Sequence, residues 1–332
     1  MTNLEQEAII DAVLANTLAE QERTGPDLRQ LHPKSHGLVW GEFIVEENLP
    51  DAIRCGIFKH QKTYPVWIRF SNGGSIEERG KFKPDQEPDA RGMAIKLMDV
   101  EGEKVLDDEE KTQDFVLINS PIFFLRTLQG YADLAKVQKR ELDPASMQYE
   151  FGILAKIRAQ SVPSPLSIQY WSTTPYQLGT QAIKFSVRPH PDNEVSHSSI
   201  DSENYLREAM VNHLTTEVKN AYFDFLVQLY VDDEKTPIED ATIEWQETDS
   251  PFIKVATIKI GSQVFDTEAR KRLDEGLSFT PWHTLPEHQP LGRVNFARKK
   301  IYQETTQNRR EHMQQRLREP QPYDPSNSSW DI

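Results

Sequence analysis

The chain has 332 residues, 37% of them hydrophobic and 27% charged, and carries a net charge of −14. That length suits one large domain or two ordinary ones, and the acidic balance argues against a general nucleic-acid or membrane-surface role, because phosphate binding needs a basic face. The single cysteine, Cys55, excludes an internal disulfide and a cysteine zinc cage; the acidic start MTNLEQEAII is unlike a signal peptide, and no apolar run approaches the roughly 20 residues that span a bilayer, so the expected place is the cytoplasm.

The first element is a helix. Leu4, Ile9, Ile10, Val13, Leu14 and Leu18 recur at helical spacing, and Gly25-Pro26 ends the run. Residues 1–25 form a docking helix, for the domain itself or for a second copy in a homodimer. Short β-rich runs follow, broken by Gly, Asn, Asp and Pro: HGLVWGEFIV, YPVWIRFS, GMAIKLMDV and TQDFVLI. Helices are predicted over Phe124–Glu141 and Pro144–Gln160. QAIKFSVRP is another strand, SENYLREAMVNHLTTEV a helix, and YFDFLVQLYV and FIKVATIKI are again strand-like. The chain then turns helical through RKRLDEG and PLGRVNFARKKIYQETTQNRREHMQQRLRE. Residues 311–332 hold the end of that helix and a Pro/Ser/Asn-rich tail with the composition of a mobile segment. Strands not each followed by a helix point to an α+β domain on a largely antiparallel sheet or closed barrel.

Chemistry concentrates in a few places. No glycine-rich phosphate loop and no GxSxG elbow is present, which removes weight from nucleotide-driven and serine-hydrolase chemistry. His32 and His36 are four apart, a spacing that holds one metal on a helix. Pro33 and Gly37 break that helix, so a loop histidine and a strand-end histidine is the stronger alternative. Arg69 sits inside the apolar strand VWIRFS, where an unpaired charge is costly and an anionic partner is implied. Tyr302 lies in the most cationic stretch, RVNFARKKIYQETTQNRR. Arg298 precedes it by four residues, on the same helical face. A cation held against a phenol favours the phenolate, which suits a metal ligand. The alternative is a surface helix with a basic face and one half-buried aromatic.

These motifs together resemble the catalase superfamily. LHPKSHGLVWGEFIV, YPVWIRFSNGG, PDARGMAIKL, QDFVLINSPIFFLR and RKKIYQETTQNRR occur in the family's order, over roughly residues 26–310. The resemblance implies an eight-stranded closed antiparallel barrel with surrounding helices. It implies haem b, with Tyr302 as tyrosinate ligand of the iron and Arg298 keeping it anionic. His32 falls on the distal histidine and Ser71 on the serine beside it. Arg29, Arg69 and Arg309 fall on the arginines that pair with the haem propionates, and Phe123 and Phe124 on the pocket wall. Three departures stand out. The chain is shorter than a full catalase, and in this it resembles the small catalase-related haem proteins that include peroxidase-like members and allene oxide synthases. Ile118 takes the place of the distal asparagine, and Asn119 lies one residue later, so either the backbone presents Asn119 or that hydrogen bond is lost. Leu31 precedes the distal histidine.

The resemblance therefore implies a haem oxidoreductase acting on hydrogen peroxide or on organic or lipid hydroperoxides, a peroxidase rather than an efficient catalase. Two alternatives stand beside it: rearrangement of a fatty-acid hydroperoxide, and haem binding without turnover. A third drops haem and puts another metal on His32 and His36.

Overall fold

The computed structural model describes residues 2–74, 81–193, 201–314 and 319–324. The first helix, α1, spans Asn3–Thr24. Thr2 and Glu5 close a reciprocal capping box, the Thr2 N–H donating to Glu5 Oε2 at 2.7 Å. Gly25, at φ 139°, ends the helix in a conformation that favours glycine.

Among the described residues nine strands follow: β1 (Ser35–Val45), β2 (Thr63–Asn72), β3 (Arg91–Leu97), β4 (Gln113–Ile118), β5 (Tyr170–Trp171), β6 (Tyr176–Leu178), β7 (Gln181–Pro189), β8 (Ala221–Leu229) and β9 (Ile253–Ile260). All pair antiparallel, in the order β5-β4-β3-β2-β1-β9-β8-β7-β6. A further pairing of Tyr170 with Val187 and Trp171 with Ser186 joins β5 to β7. Eight strands thus close into a barrel, and β6 extends it at one side. Closure removes the exposed edges that an open sheet would leave. The expected barrel is present. Its closing strand is only two residues long, too short for any alternation to mark it.

The barrel interior is filled with apolar side chains. Phe43, Phe115, Phe185 and Phe225, from β1, β4, β7 and β8, meet at its middle. Phe115 and Phe225 have ring centroids 4.8 Å apart, and Phe115 and Phe185 5.0 Å. Because side chains alternate along a strand, each inward phenylalanine leaves its neighbours facing out.

The helices cover that outer face. They are α2 (Leu128–Gln138), α3 (Gln148–Arg158), α4 (Tyr205–Val211), α5 (Glu268–Gly276) and α6 (Arg293–His312). The helix predicted over Phe124–Glu141 is shorter at both ends, and Pro144–Met147 forms a 3-10 turn ahead of α3, as Pro at a first turn allows. The run SENYLREAMVNHLTTEV loosens after α4 into a π turn, Asn212–Thr216. Val13 of α1 packs with Leu128 of α2 and with Ala297 and Ile301 of α6. The docking face of α1 is thus occupied by its own chain.

The tail departs from expectation at residues 319–324, which lie against the barrel. The Tyr323 ring stacks on Trp40 at 4.9 Å and 10° and meets Trp67 edge-on at 6.0 Å. The Trp67 indole N–H donates to the Gln321 carbonyl at 2.9 Å. One aromatic anchor outweighs a polar composition. The rest of the expected tail beyond Gln314 lies outside the described residues.

Candidate active site

The site is built on the outer face of β2, β3 and β4. Register pairs Arg69 with Ala94 and Ala94 with Val116, and in the next row Ser71 with Gly92 and Gly92 with Ile118. The alternate residues Ile68, Phe70, Met93, Ile95, Phe115 and Leu117 belong to the core. Helices α1 and α6 stand over this wall. The cleft between them holds about 760 Å³ of non-atom space, mouth included, and is lined by His32, Ser71, Arg29, Arg69, Tyr302 and Arg309, among others.

His32 lies in the link between α1 and β1. Its φ of 56° is left-handed, a conformation that costs a non-glycine residue on the order of 1–3 kcal/mol and clusters at functional sites. The ring is fixed by a 3.0 Å hydrogen bond between Nδ1 and Ser71 Oγ. Gly92 makes room for it: a Cβ there would stand 2.4 Å from His32 Nδ1. Burial, then the charges of Arg69, Arg298 and Arg29, push the imidazole down to about 3, so it is neutral at physiological pH. Sequence reading passed over Gly92. Its place opposite Ser71 follows only from the register of the two strands.

Helix α6 supplies Arg298, Tyr302 and Arg309. Arg298 Nη2 donates to the Tyr302 oxygen at 3.4 Å, and Nη1 to Thr174 Oγ1 at 3.1 Å and Asn295 Oδ1 at 3.0 Å. Burial opposes the Arg298 charge, and the oxygens of Tyr302, Tyr176 and Tyr131 outweigh it, so its pKa is raised above the ordinary arginine value. Arg298 thus reaches Tyr302 from behind, and does not itself line the cleft.

The three remaining arginines converge on the C-terminal end of α5. Arg29 donates to the carbonyls of Asp274 and Leu277, Arg309 to those of Glu275 and Leu277, and Arg69 Nε to Asp274 Oδ1 at 2.6 Å. Unpaired carbonyls at a helix C-terminus carry partial negative charge and attract cations. Two carboxylates serve them: Asp274 accepts from Arg69, and the Glu275 charge acts on Arg29 and Arg309. Burial would raise Asp274, and Arg69 and Arg29 hold it lower. Burial and the neighbouring guanidiniums lower Arg29 well below the arginine range, and burial with Arg310 and Arg69 pushes Arg309 down to about 10. Three guanidiniums against two carboxylates leave the cluster positive. Asp274 carries no sequence signal of its own, because only the fold brings α5 to the arginines.

Other expected residues fall elsewhere. Asn119 does not line the cleft: its Oδ1 accepts from the Arg91 N–H at 2.8 Å, and its Nδ2 donates to Gln160 at 3.1 Å. Phe123 packs with tilted rings against Phe124 and Tyr131, at 5.0 and 6.0 Å between centroids, outside the lining of the cleft. His36 does not join His32. Its Nε2 lies 2.7 Å from Asn72 Oδ1, in a buried network with Asp85, Arg91 and Lys34. The break at Pro33 and Gly37 separates the two histidines, so the alternative of a metal held between them does not fit. Among the described residues the trio that could hold a metal is Glu109, Asp114 and His283. The Lys96 ammonium already sits among them, 2.8 Å from Asp114 Oδ1 and in contact with Glu109 and His283. This network tethers the loop that follows α5: Ser278 Oγ donates to Glu109 at 3.0 Å and the Thr280 N–H to Asp114 at 3.0 Å. Phe279 between them lines the cleft.

The structure thus combines a closed antiparallel barrel, a part-buried histidine against its outer wall and an arginine-backed tyrosine on a covering helix. The chain resembles catalases, in sequence over its first half and in fold over most of its length. The sequence model of the catalase family matches residues 5–159. A catalase from the Onchocerca volvulus endobacterium is 30% identical over 187 residues, covering 55% of this chain and 32% of its own, and catalase A of Pseudomonas putida is 31% identical over 183 residues. The chain therefore spans about a third of the length of these relatives. Among solved structures, a bacterial catalase aligns over 92% of this chain and 62% of its own, with a TM-score of 0.65 at 20% identity. Catalase A from Saccharomyces cerevisiae aligns over 88% of this chain and 63% of its own, again with a TM-score of 0.65 at 20% identity. Those structural likenesses concern the fold.

Proposed function

We propose that the cleft binds haem b and that the protein is a haem-dependent oxidoreductase acting on hydroperoxides, with peroxidase rather than efficient catalase activity. The observation that carries this is the joint lining: the Tyr302 phenol, the His32 imidazole held by Ser71, and three guanidiniums face one cleft. These residues fit the group. Three guanidiniums against the carboxylates of Asp274 and Glu275 leave positive charge for the propionates, and guanidinium is suited to forked bonding of carboxylates. Tyr302 has a charged donor behind its oxygen, the environment an anionic oxygen ligand requires. Bound there, haem would supply the redox chemistry and the affinity for peroxide oxygen.

The chain's own residues supply protons and position. With Nδ1–H donated to Ser71, the other ring nitrogen of His32 offers a lone pair to a hydroperoxide O–H. It can then return that proton to the departing oxygen, as a general base followed by a general acid. An organic hydroperoxide is favoured over hydrogen peroxide. Ala94, Val116 and Phe279 make the cleft wall apolar, and the Asn119 amide is engaged elsewhere. A second reading, rearrangement of a fatty-acid hydroperoxide, draws on the same apolar wall and on Leu31, which is 52% exposed beside His32.

The test is the absorption spectrum of the protein expressed with haem supplied, beside Tyr302→Phe. A high-spin ferric Soret band that is changed or lost in the variant supports the proposal, and a well-folded protein that takes up no haem overturns it. Product analysis then separates the two readings. Peroxidase action gives an alcohol and an oxidised donor, whereas rearrangement consumes no donor. Activity unchanged in His32→Ala would leave haem binding without turnover.

A further inference from the structure

Away from the cleft, one buried amine has no counter-ion. Lys184 stands on β7 opposite Gln228 of β8 and is 4% exposed. Among the described residues no carboxylate makes an ion pair with it. Its Nζ donates to the Ile243 carbonyl at 3.1 Å and lies 5.3 Å from the centre of the Trp245 ring. The side chain lines a second pocket of about 370 Å³ of non-atom space, mouth included, walled by Trp171, Trp245 and Phe252 with Glu244 at its side. Gln228 spends both amide hydrogens on the carbonyls of Trp245 and Ser250, so it closes the pocket floor without competing for a ligand.

Burial pushes the Lys184 amine down to about 7, and the charges of Glu244 and Asp240 oppose this only in part. An ordinary lysine, with a pKa of about 10.4, carries almost no free base at neutral pH. A lysine desolvated in an apolar pocket is instead an activated nucleophile. The aromatic walls admit an apolar group, and Glu244 and Glu247 at the lining disfavour an anionic one.

We propose that Lys184 and its aromatic pocket form a carbonyl-capture site, at which Nζ adds to a small apolar aldehyde and holds it as an imine. The nitrogen lone pair forms the C–N bond and the carbonyl electrons move onto oxygen. The two amine protons leave with that oxygen as water, and the C=N bond forms. No electrons are exchanged with a third partner. The site is independent of the proposed haem chemistry.

The experiment uses the full chain with benzaldehyde and sodium cyanoborohydride at pH 7, read by peptide mass spectrometry over time. Benzylation at Lys184 is expected about tenfold or more faster than at the exposed Lys59 and Lys139. Its rate should level off just above pH 7, while those of the exposed lysines keep climbing. Lys184→Arg should abolish this fast adduct alone. Should that variant not fold, the pH profile of the unmodified chain decides by itself. Labelling at Lys184 no faster than at the exposed lysines, or only after denaturation, overturns the proposal.

Discussion

At the scale of single residues, the cleft depends on what lies behind each functional group. A methyl group at Gly92 would collide with the His32 ring, so Gly92→Ala should displace the imidazole and leave the barrel intact. Displacement of a catalytic group by about 1 Å costs on the order of 10²-fold. Peroxide-dependent turnover should fall by about that factor in steady-state assays, with haem uptake and circular dichroism unchanged. A second expectation follows from the low pKa of His32. A free imidazole would be half protonated at about 6.5 and would stop acting as a base there. His32 stays neutral down to about 3, so a pH–rate profile of the proposed peroxidase should be flat from pH 8 to about 5. A fall in rate centred near 6.5 would contradict this environment. His32, Tyr302 and the arginines were legible from residue type and order. Gly92 and Asp274 were not, because the first matters through a contact across two strands and the second through the position of α5.

At the scale of elements, α1 and the 319–324 segment act as straps on the barrel. Gln21 of α1 donates to the carbonyls of Leu28 and Thr305, tying the helix to α6 beside the cleft. Tyr323 is gripped between Trp40 and the Arg270 guanidinium, which lies 5.2 Å from its ring centre. Aromatic and cation–π pairs of this kind add to the area they bury. Tyr323→Ala should therefore lower unfolding stability by about 1–3 kcal/mol in urea titrations followed by tryptophan fluorescence. A change near zero would mean that the segment is free in solution. For α5, Asp274→Asn removes the carboxylate between Arg69 and Arg29. Breaking a buried pair in this way costs about 3–5 kcal/mol, so the variant should melt well below the parent in differential scanning calorimetry. Added haem should recover part of that loss, if the propionates take over the arginines.

At the scale of the whole molecule, buried histidines bound stability on both sides of neutrality. His36 and His288 are pushed down to about 3 mainly by burial. Between about 3 and 6.5 the unfolded chain binds protons there that the folded chain refuses, so stability falls as pH falls through that window. His283 behaves oppositely. Burial and Lys96 oppose its charge, yet Asp114 and Asp108 outweigh them and raise it to about 9. Its contribution is full below the unfolded pKa of about 6.5 and is lost as pH rises through about 9. Melting temperature against pH should therefore form a dome, and the alkaline limb should flatten in His283→Gln. Among the described residues no helix is long and apolar enough to cross a membrane.

The sequence by itself determined the strand-forming runs, the covering helices, and the ordered motifs from which the barrel and the His32, Ser71, Arg69 and Tyr302 set could be read. Alternation, capping and breaker residues act within a few positions of the chain, so they leave their mark on it. Tertiary structure alone decided the closure through Tyr170–Trp171, the return of 319–324 to the barrel, the turning of Asn119 away from the cleft, and the counter-charge at Asp274. Each of these rests on a contact between residues far apart in sequence, whose free energy exists only once the intervening chain has folded.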